Sequence, residues 1–282
     1  MGYDGSPAAA RAIDTGARLL PGHIASVVHL WSAPFPDSEL RDRLGGRGAI
    51  SVQELMSLLE HEGAELAELT AADGVALARA AGWQAHARTH RSHGGQGFEL
   101  AGLAEELRPA AVVLGSRGMS GLRAALGSIT DAAVHYSPVP VLVVPPLLSA
   151  ERRAAEIGPV LVGDDGSTGA RNAIAAAVAL FGERDLLVAA VDDDQGRAAA
   201  EHSREAPNAE TVVLDGVGWP RRGERAVSDA LTQYAARRDA ALIVVGSRGR
   251  SAPREIMLGS VAMAVLHHAH RPVLVVPRPE GA

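Results

Sequence analysis

The residues best suited to chemistry lie between Leu242 and Ser260, in the stretch LIVVGSRGRSAPREIMLGS. Leu242 to Val245 is an unbroken apolar run rich in β-branched residues, which predicts a strand of a parallel sheet covered on both faces. Gly246 ends the run. Glycines then fall at 246, 249 and 259, with two residues between the first pair and nine between the second and third, and Ser260 follows at once. Glycine lets the backbone reach positive φ and lets an anion approach with no Cβ in the way, so several N–H groups can converge on one phosphate. Beyond Ser260, the positions Val261, Ala264, Val265 and His268 follow helical spacing. The N-terminus of that helix adds its dipole to the same donors. A lone Gly-x-x-Gly is common at ordinary strand–loop–helix junctions, so the weight rests on the whole spacing and on its recurrence.

It does recur. VVLGSRGMSG at Val112–Gly121 matches VVGSRGRS at Val244–Ser251, and PVLVVP at Pro140–Pro145 returns intact at Pro272–Pro277. MGYDGSP at the start echoes VGDDGST at Val162–Thr168. Three matches in one order mean duplication of a whole unit, and 282 residues suffice for two domains that each bury a core. The expected division is a first domain over 1–146, a charged linker over 147–158 without a repeat match, and a second domain over 159–282. In each, apolar strand-like runs alternate with helical patterns. Ser6-Pro7 and Ser167 supply helix starts. Helical periodicity covers 51–81, 98–107 and 223–238; strands are expected over 23–30, 83–88, 111–114, 159–163, 186–191 and 211–214. Such alternation implies right-handed crossovers and mainly parallel, doubly wound sheets, whose ligands sit beyond the carboxyl ends of the strands.

A strand ending in GSRG, a nine-residue spacer, GS opening a helix, and then RPVLVVP resembles the nucleotide loop of the universal stress protein family, and the likeness covers nearly the whole chain outside the linker. The resemblance implies two tandem, mainly parallel five-stranded sheets flanked by helices, of the adenine-nucleotide α-hydrolase-like type. It also implies ATP, with Mg2+ held mostly by the phosphate oxygens. In that family the aspartate of the first loop lies beside adenine and ribose, and the glycines and the Gly-Ser backbone hold the phosphates. Carried over, this implicates Asp165, Val245, Gly246, Arg248, Gly249, Gly259, Ser260 and Val261. The first copy supplies a weaker set: Asp4, Leu114, Gly115, Arg117, Gly118, Gly127, Ser128 and Ile129. Position alone leaves Asp165 and Asp4 open between a ligand role and a turn aspartate that caps its own loop. In the family, the late apolar strand pairs with its equivalent across a two-fold axis. Here both equivalents share one chain, implying an internal pseudo-dimer through Val139–Val144 and Pro272–Val276, with a homodimer through these strands or other faces as a further expectation.

The first copy departs from the pattern twice. Eight residues separate Gly118 from Gly127 where the second copy has nine, and Gly121 is available to absorb the change. Where the second copy has PVLVG before Asp165, the first has only Met1 and Gly2 before Tyr3 and Asp4. A central strand is clipped: either the true start lies upstream or this half folds with an incomplete sheet.

Composition narrows the chemistry. There is no cysteine and no lysine, which removes thiol chemistry, thiolate metal sites, a lysine P-loop and a Schiff base. A net charge of −6 with 3% aromatic residues argues against a nucleic-acid surface. No apolar run approaches a spanning helix, so a cytoplasmic protein without a membrane partner is expected. His267, His268 and His270 point different ways from one helix end, with His267 and Arg271 expected to complement its C-terminus. His90 and His93 lack a ligand set, and Asp192–Asp194 are expected to form a solvated loop. No acid/base pair stands out. The expected function is a regulatory, stress-responsive module that binds ATP with Mg2+, with slow turnover at most. The rivals are an interaction scaffold that binds no nucleotide, and an adenine-nucleotide-dependent enzyme of a related fold.

Overall fold

The computed structural model describes residues 1–33, 51–116, 126–192, 209–215, 224–249 and 258–278. Helix starts follow the capping residues. Ser6 Oγ accepts the Ala9 N–H at 3.1 Å and opens α1 (Pro7–Leu19) with proline in its first turn. Ser51 and Glu54 form a reciprocal capping box at the head of α2 (Val52–Ala80). The remaining first-half elements are β1 (Ile24–Trp31), β2 (Gln84–Arg91), α3 (Gln96–Leu107), β3 (Val112–Gly115), α4 (Ser128–Tyr136) and β4 (Val141–Val144). After α5 (Ser149–Ile157) come β5 (Val160–Gly163), α6 (Thr168–Phe181), β6 (Leu186–Asp192), β7 (Ala209–Asp215), α7 (Glu224–Arg237), β8 (Leu242–Gly246), α8 (Ser260–His268) and β9 (Val273–Val276).

The unbroken apolar runs become strands buried on both faces. Leu161, Leu242, Ile243, Val244 and Leu274 are fully buried, as expected where helices cover a parallel sheet on both sides. One seven-stranded sheet runs in the order β3-β4-β9-β8-β5-β6-β7. Every pairing in it is parallel except β4 with β9, where Val141 faces Val275, Leu142 faces Leu274 and Val143 faces Val273. The two PVLVVP segments therefore pair antiparallel and fuse the halves into one sheet. Each of the two strands has a neighbour on both sides, so the expectation of a homodimer through these strands is corrected: no edge of either is left for a second chain.

In the first half, residues 1–3 stand where the second half has β5. β1 and β2 form a separate parallel pair, and Met1–Tyr3 alone stand between β1 and β3. Gly2 bridges to Val28. The Gly2 N–H donates to the Val113 carbonyl at 3.1 Å, Tyr3 N–H to Val28 at 2.9 Å, and Val28 N–H to Met1 at 2.8 Å. The order β2, β1, residues 1–3, β3, β4 thus mirrors β7-β6-β5-β8-β9. The second half has the expected five strands; the first has four and a three-residue stub. The expected linker contains a helix: α5 buries Ala154 and Ala155, and Glu156 pairs with Arg18 of α1 at 3.2 Å. Strand β2 also runs past its expected end to Arg91, which places His90 within it.

Candidate functional site

In the second half the chain returns on itself at the carboxyl end of β8. Ser247 N–H donates to the Val276 carbonyl at 2.7 Å, and Gly259 N–H donates to the Ser247 carbonyl at 2.6 Å. These bonds bring Gly246, Arg248 and Gly249 against Gly259, Ser260 and Val261 at the head of α8, with Val245 buried in the strand behind them. Asp165 reaches the same place from the β5–α6 loop. Its Oδ1 accepts the Ser167 N–H at 3.0 Å, while a Cβ built on Gly249 would stand 2.6 Å from its Oδ2. The two readings left open for Asp165 are therefore compatible: one oxygen holds the turn, and the other lies against the glycine loop. Arg248 Nε is buried without a hydrogen-bond partner among the described residues. Such an orphaned donor costs free energy unless an acceptor joins it.

Four of the helices that start at the carboxyl ends of strands are equivalent in pairs across the repeat, and the pairs differ in their caps. α1 and α6 are capped by Ser6 and Ser167, whose hydroxyls accept the Ala9 and Ala170 N–H groups at 3.1 Å. α4 and α8 have glycine N-caps, Gly127 and Gly259, and no side-chain cap. At α8 the first turn also carries no acidic residue, so its N–H groups meet no competing carboxylate there. A serine hydroxyl thus caps α1 and α6, and no side chain caps α4 or α8.

The first half repeats this geometry with one charge added. Gly127 N–H donates to the Ser116 carbonyl at 2.9 Å, which seats Ser128 and Ile129 beside Gly115 and the end of Leu114. Asp4 Oδ1 accepts the Ser6 N–H at 3.0 Å, as Asp165 does with Ser167. Arg117 and Gly118, with Gly121, lie outside the described residues. Thr130 Oγ1 donates to the Gly115 carbonyl at 2.9 Å. Asp131 stands in the first turn of α4 where α8 has Met263 and no acidic residue. A carboxylate there opposes an anion through like-charge repulsion and competes for the helix dipole.

Two residues escaped the sequence reading. Gly169, in the first turn of α6, lies so close to the loop that a Cβ on it would collide with the Arg248 carbonyl, and a Cβ on Gly246 would meet the Gly169 backbone at 2.6 Å. The first copy has Ala8 at that position. The only signal was the contrast of Thr168-Gly169 with Pro7-Ala8 after each capping serine. Asp164, which is 5% exposed, accepts the Gly166 N–H at 2.7 Å and fixes the turn, with Gly166 at φ 74°. Its counterpart is Tyr3. Arg271 is a correction. It is buried and bonds Asp239 at 3.1 Å, tying the end of α8 to the loop after α7 rather than complementing the α8 terminus with His267. Asp192 closes β6, and Asp193 and Asp194 lie outside the described residues. Among the described residues, no group of three or more His, Asp or Glu side chains is placed to hold a metal ion, and no helix is long and apolar enough to cross a membrane.

The sequence profile of the Universal stress protein family matches residues 1–145 and 220–277. A universal stress protein of Mycolicibacterium smegmatis is 34% identical over 187 residues, which is 58% of this chain and 60% of that protein. A universal stress protein of Mycobacterium tuberculosis is 32% identical over 183 residues, with the same 58% and 60% coverage. The chain thus spans about 60% of the length of these curated relatives. Among solved structures, a universal stress protein from Archaeoglobus fulgidus superimposes with a TM-score of 0.71 at 20% identity, covering 99% of this chain and 97% of that one. At that identity the likeness establishes the fold.

Proposed function

The chain belongs to the universal stress protein family, and we propose that its second half binds ATP with Mg2+ and that the protein acts as a regulatory, stress-responsive module. The observation that carries this reading is the uncapped head of α8, folded onto the GSRG loop by the Gly259–Ser247 bond and lacking any acid in its first turn. Phosphate oxygens would accept from the N–H groups of Ser260 and Val261 and from the loop at Gly246 and Gly249, where the absence of Cβ atoms permits close approach. Arg248 Nε, buried without a partner, would gain an acceptor. Asp165 would face the nucleoside end across Gly249. Mg2+ bound with the phosphates would neutralise the polyphosphate and let it sit near that carboxylate.

On this reading the two repeat units, 1–146 and 159–282, divide the work. The second receives the nucleotide, and the first, with Asp131 in the corresponding helix turn, binds it weakly or acts only through the shared sheet. Binding alone satisfies the proposal; turnover is not part of it.

The test is a calorimetric titration of nucleotide-stripped, full-length protein with Mg-ATP, read as sites per chain. One site, abolished by altering the second glycine loop, is the expected result. No heat of binding, together with no thermal shift at saturating Mg-ATP, would overturn the proposal and leave the interaction scaffold.

A further inference from the structure

The heads of α4 and α8 are supported by hydroxyls in different places. In the first half Thr130, in the first turn of α4, donates to the Gly115 carbonyl at 2.9 Å and ties the helix to its own glycine loop. The second half has Ala262 at that position, with no side-chain donor to give. Its hydroxyl lies instead on the neighbouring helix. Counted back from Gly115 and Gly246, Ser228 of α7 is the counterpart of Gly97 in α3. The same count matches Arg108 with Asp239, and both have a positive φ, 43° and 47°, so the two helices end in the same way and are in register.

Position 97 is where α3 meets the first turn of α4. A Cβ on Gly97 would collide with Ala132 and stand 3.2 Å from the Ile129 carbonyl oxygen. The corresponding residues of α8 are Ala264 and Val261, and α7 packs on α8 as α3 packs on α4. Ser228 thus sets its side chain against the first turn of α8. The residue is 0% exposed, and its Oγ has no hydrogen-bond partner among the described residues. Thr232, one turn further along α7, shows the ordinary use of a hydroxyl in this helix: its Oγ1 donates to the Ser228 carbonyl at 2.9 Å. A buried hydroxyl that makes no bond destabilises the fold that contains it. Alanine, or the glycine that α3 has, would not.

We propose that Ser228 is a positioning residue for the second-half phosphate site, and that its hydroxyl donates to the Val261 carbonyl once an anion occupies the head of α8. The proposal rests on the reading of that half as the Mg-ATP site. Phosphate oxygens draw the first-turn N–H groups of α8 toward the glycine loop, and Ala262 places no tether of the Thr130 kind on that turn. The Val261 carbonyl and the Ala262 N–H belong to one peptide unit. A hydrogen bond given to the carbonyl polarises the unit and makes its N–H a stronger donor to the phosphate. The carbonyl has a second lone pair for this bond beside the one used in the helix. The empty protein keeps the hydroxyl unpaired, and the bound protein pairs it.

The experiment compares the full chain with its Ser228→Ala variant, by thermal melting of the nucleotide-stripped proteins and by calorimetric titration of each with Mg-ATP. Removing an unpaired buried hydroxyl should raise the melting temperature of the empty protein by about 2 °C or more. Losing the bond made in the complex should weaken Mg-ATP binding by about three- to tenfold. Opposite signs in the two readings separate positioning from packing, which would lower the melting temperature. An unchanged affinity, or an empty variant that melts no higher than the unaltered protein, would overturn the proposal and leave the second-half site in place. No heat of binding from the unaltered protein would overturn the nucleotide reading and this proposal with it.

Discussion

Replacing Gly246 by alanine tests the close approach on which the second-half site depends, and Gly115→Ala supplies an internal control. Neither glycine has a positive φ, so the change strains no backbone dihedral, and each gains about 0.4–1 kcal/mol from the stiffer unfolded chain. The contacts differ. At Gly246 the new Cβ stands 2.6 Å from both the carbonyl carbon and oxygen of Gly169, and 3.1 Å from its Cα. At Gly115 the nearest atoms are the carbonyl carbon and oxygen of Ala8 at 3.0 Å. Ordinary carbon contact begins near 3.5 Å, so the first substitution must open the β8–α6 junction by about 0.9 Å and the second the β3–α1 junction by about 0.5 Å. Backbone cannot rotate aside as a side chain can, which puts Gly246→Ala near the upper end of the roughly 1–3 kcal/mol range for overpacking and Gly115→Ala near the lower end. Net of the unfolded-state gain, Gly246→Ala should lose about 2 kcal/mol and Gly115→Ala a few tenths. Urea denaturation followed by far-ultraviolet circular dichroism gives both midpoints, with slopes unchanged if the denatured state is unaffected. A Gly115→Ala protein as destabilised as Gly246→Ala, or more so, would refute the argument that the glycine-to-glycine contact is the tighter junction.

Gly249→Ala places its Cβ 2.6 Å from Asp165 Oδ2, the end of a flexible carboxylate, so stability should change by less than about 0.5 kcal/mol; Mg-ATP affinity should fall at least about tenfold by calorimetry, and unchanged affinity would remove Gly249 from the site. Asp131→Asn removes the carboxylate from the first turn of α4 and should strengthen any first-half nucleotide site by about 0.3–1 kcal/mol at low salt, read as a second, weaker site in the same titration. The Met1 amine, lowered from 8.0 to about 6 by burial, is neutral in the folded chain at pH values where the unfolded chain is protonated. The unfolded state therefore binds the extra proton between about pH 6 and 8, and this contribution to stability is full above pH 8 and declines as pH falls toward 6, by up to about 2.7 kcal/mol. Urea midpoints at pH 5.5 and 8.5 should show that slope in the free-amine chain and lose this part of it after N-terminal acetylation. Arg271→Ala removes a buried side chain together with its 3.1 Å bond to the exposed Asp239, for a loss of about 1–3 kcal/mol; a melting temperature equal to that of the unaltered protein would make the pair incidental.

Much of this was legible in the chain because the signals were local. A capping serine before a proline or a small residue, an apolar run ended by glycine, and a motif repeated in order each act over a few residues, and helix starts at Ser6, Ser51 and Ser167 follow from them. The pairing of the two PVLVVP strands was legible only through the family resemblance, which implies that this strand pairs with its equivalent, and both equivalents lie on one chain. What escaped depends on which surfaces meet. The segment after β4 reads as a charged linker, yet Ala154 and Ala155 give it a narrow apolar stripe that α1 covers. Arg271 reads as a helix-end cation until the fold brings Asp239, 32 positions earlier, against it.

Gly169 makes the same point about the candidate site. Nothing in its own neighbourhood calls for glycine: the residue is helical, and helices favour alanine there by about 1 kcal/mol. The requirement comes from Arg248, far along the chain, whose carbonyl occupies the space a Cβ would need. The first copy has Ala8 in that place, and it is also the copy with the shorter spacer and the acidic turn at Asp131. Three departures that look unrelated in sequence converge on one edge of the sheet. A glycine unfavourable to its own helix, matched to the intact loop and absent from the copy with the shorter spacer, fits the proposal that the second copy is the one that receives phosphate.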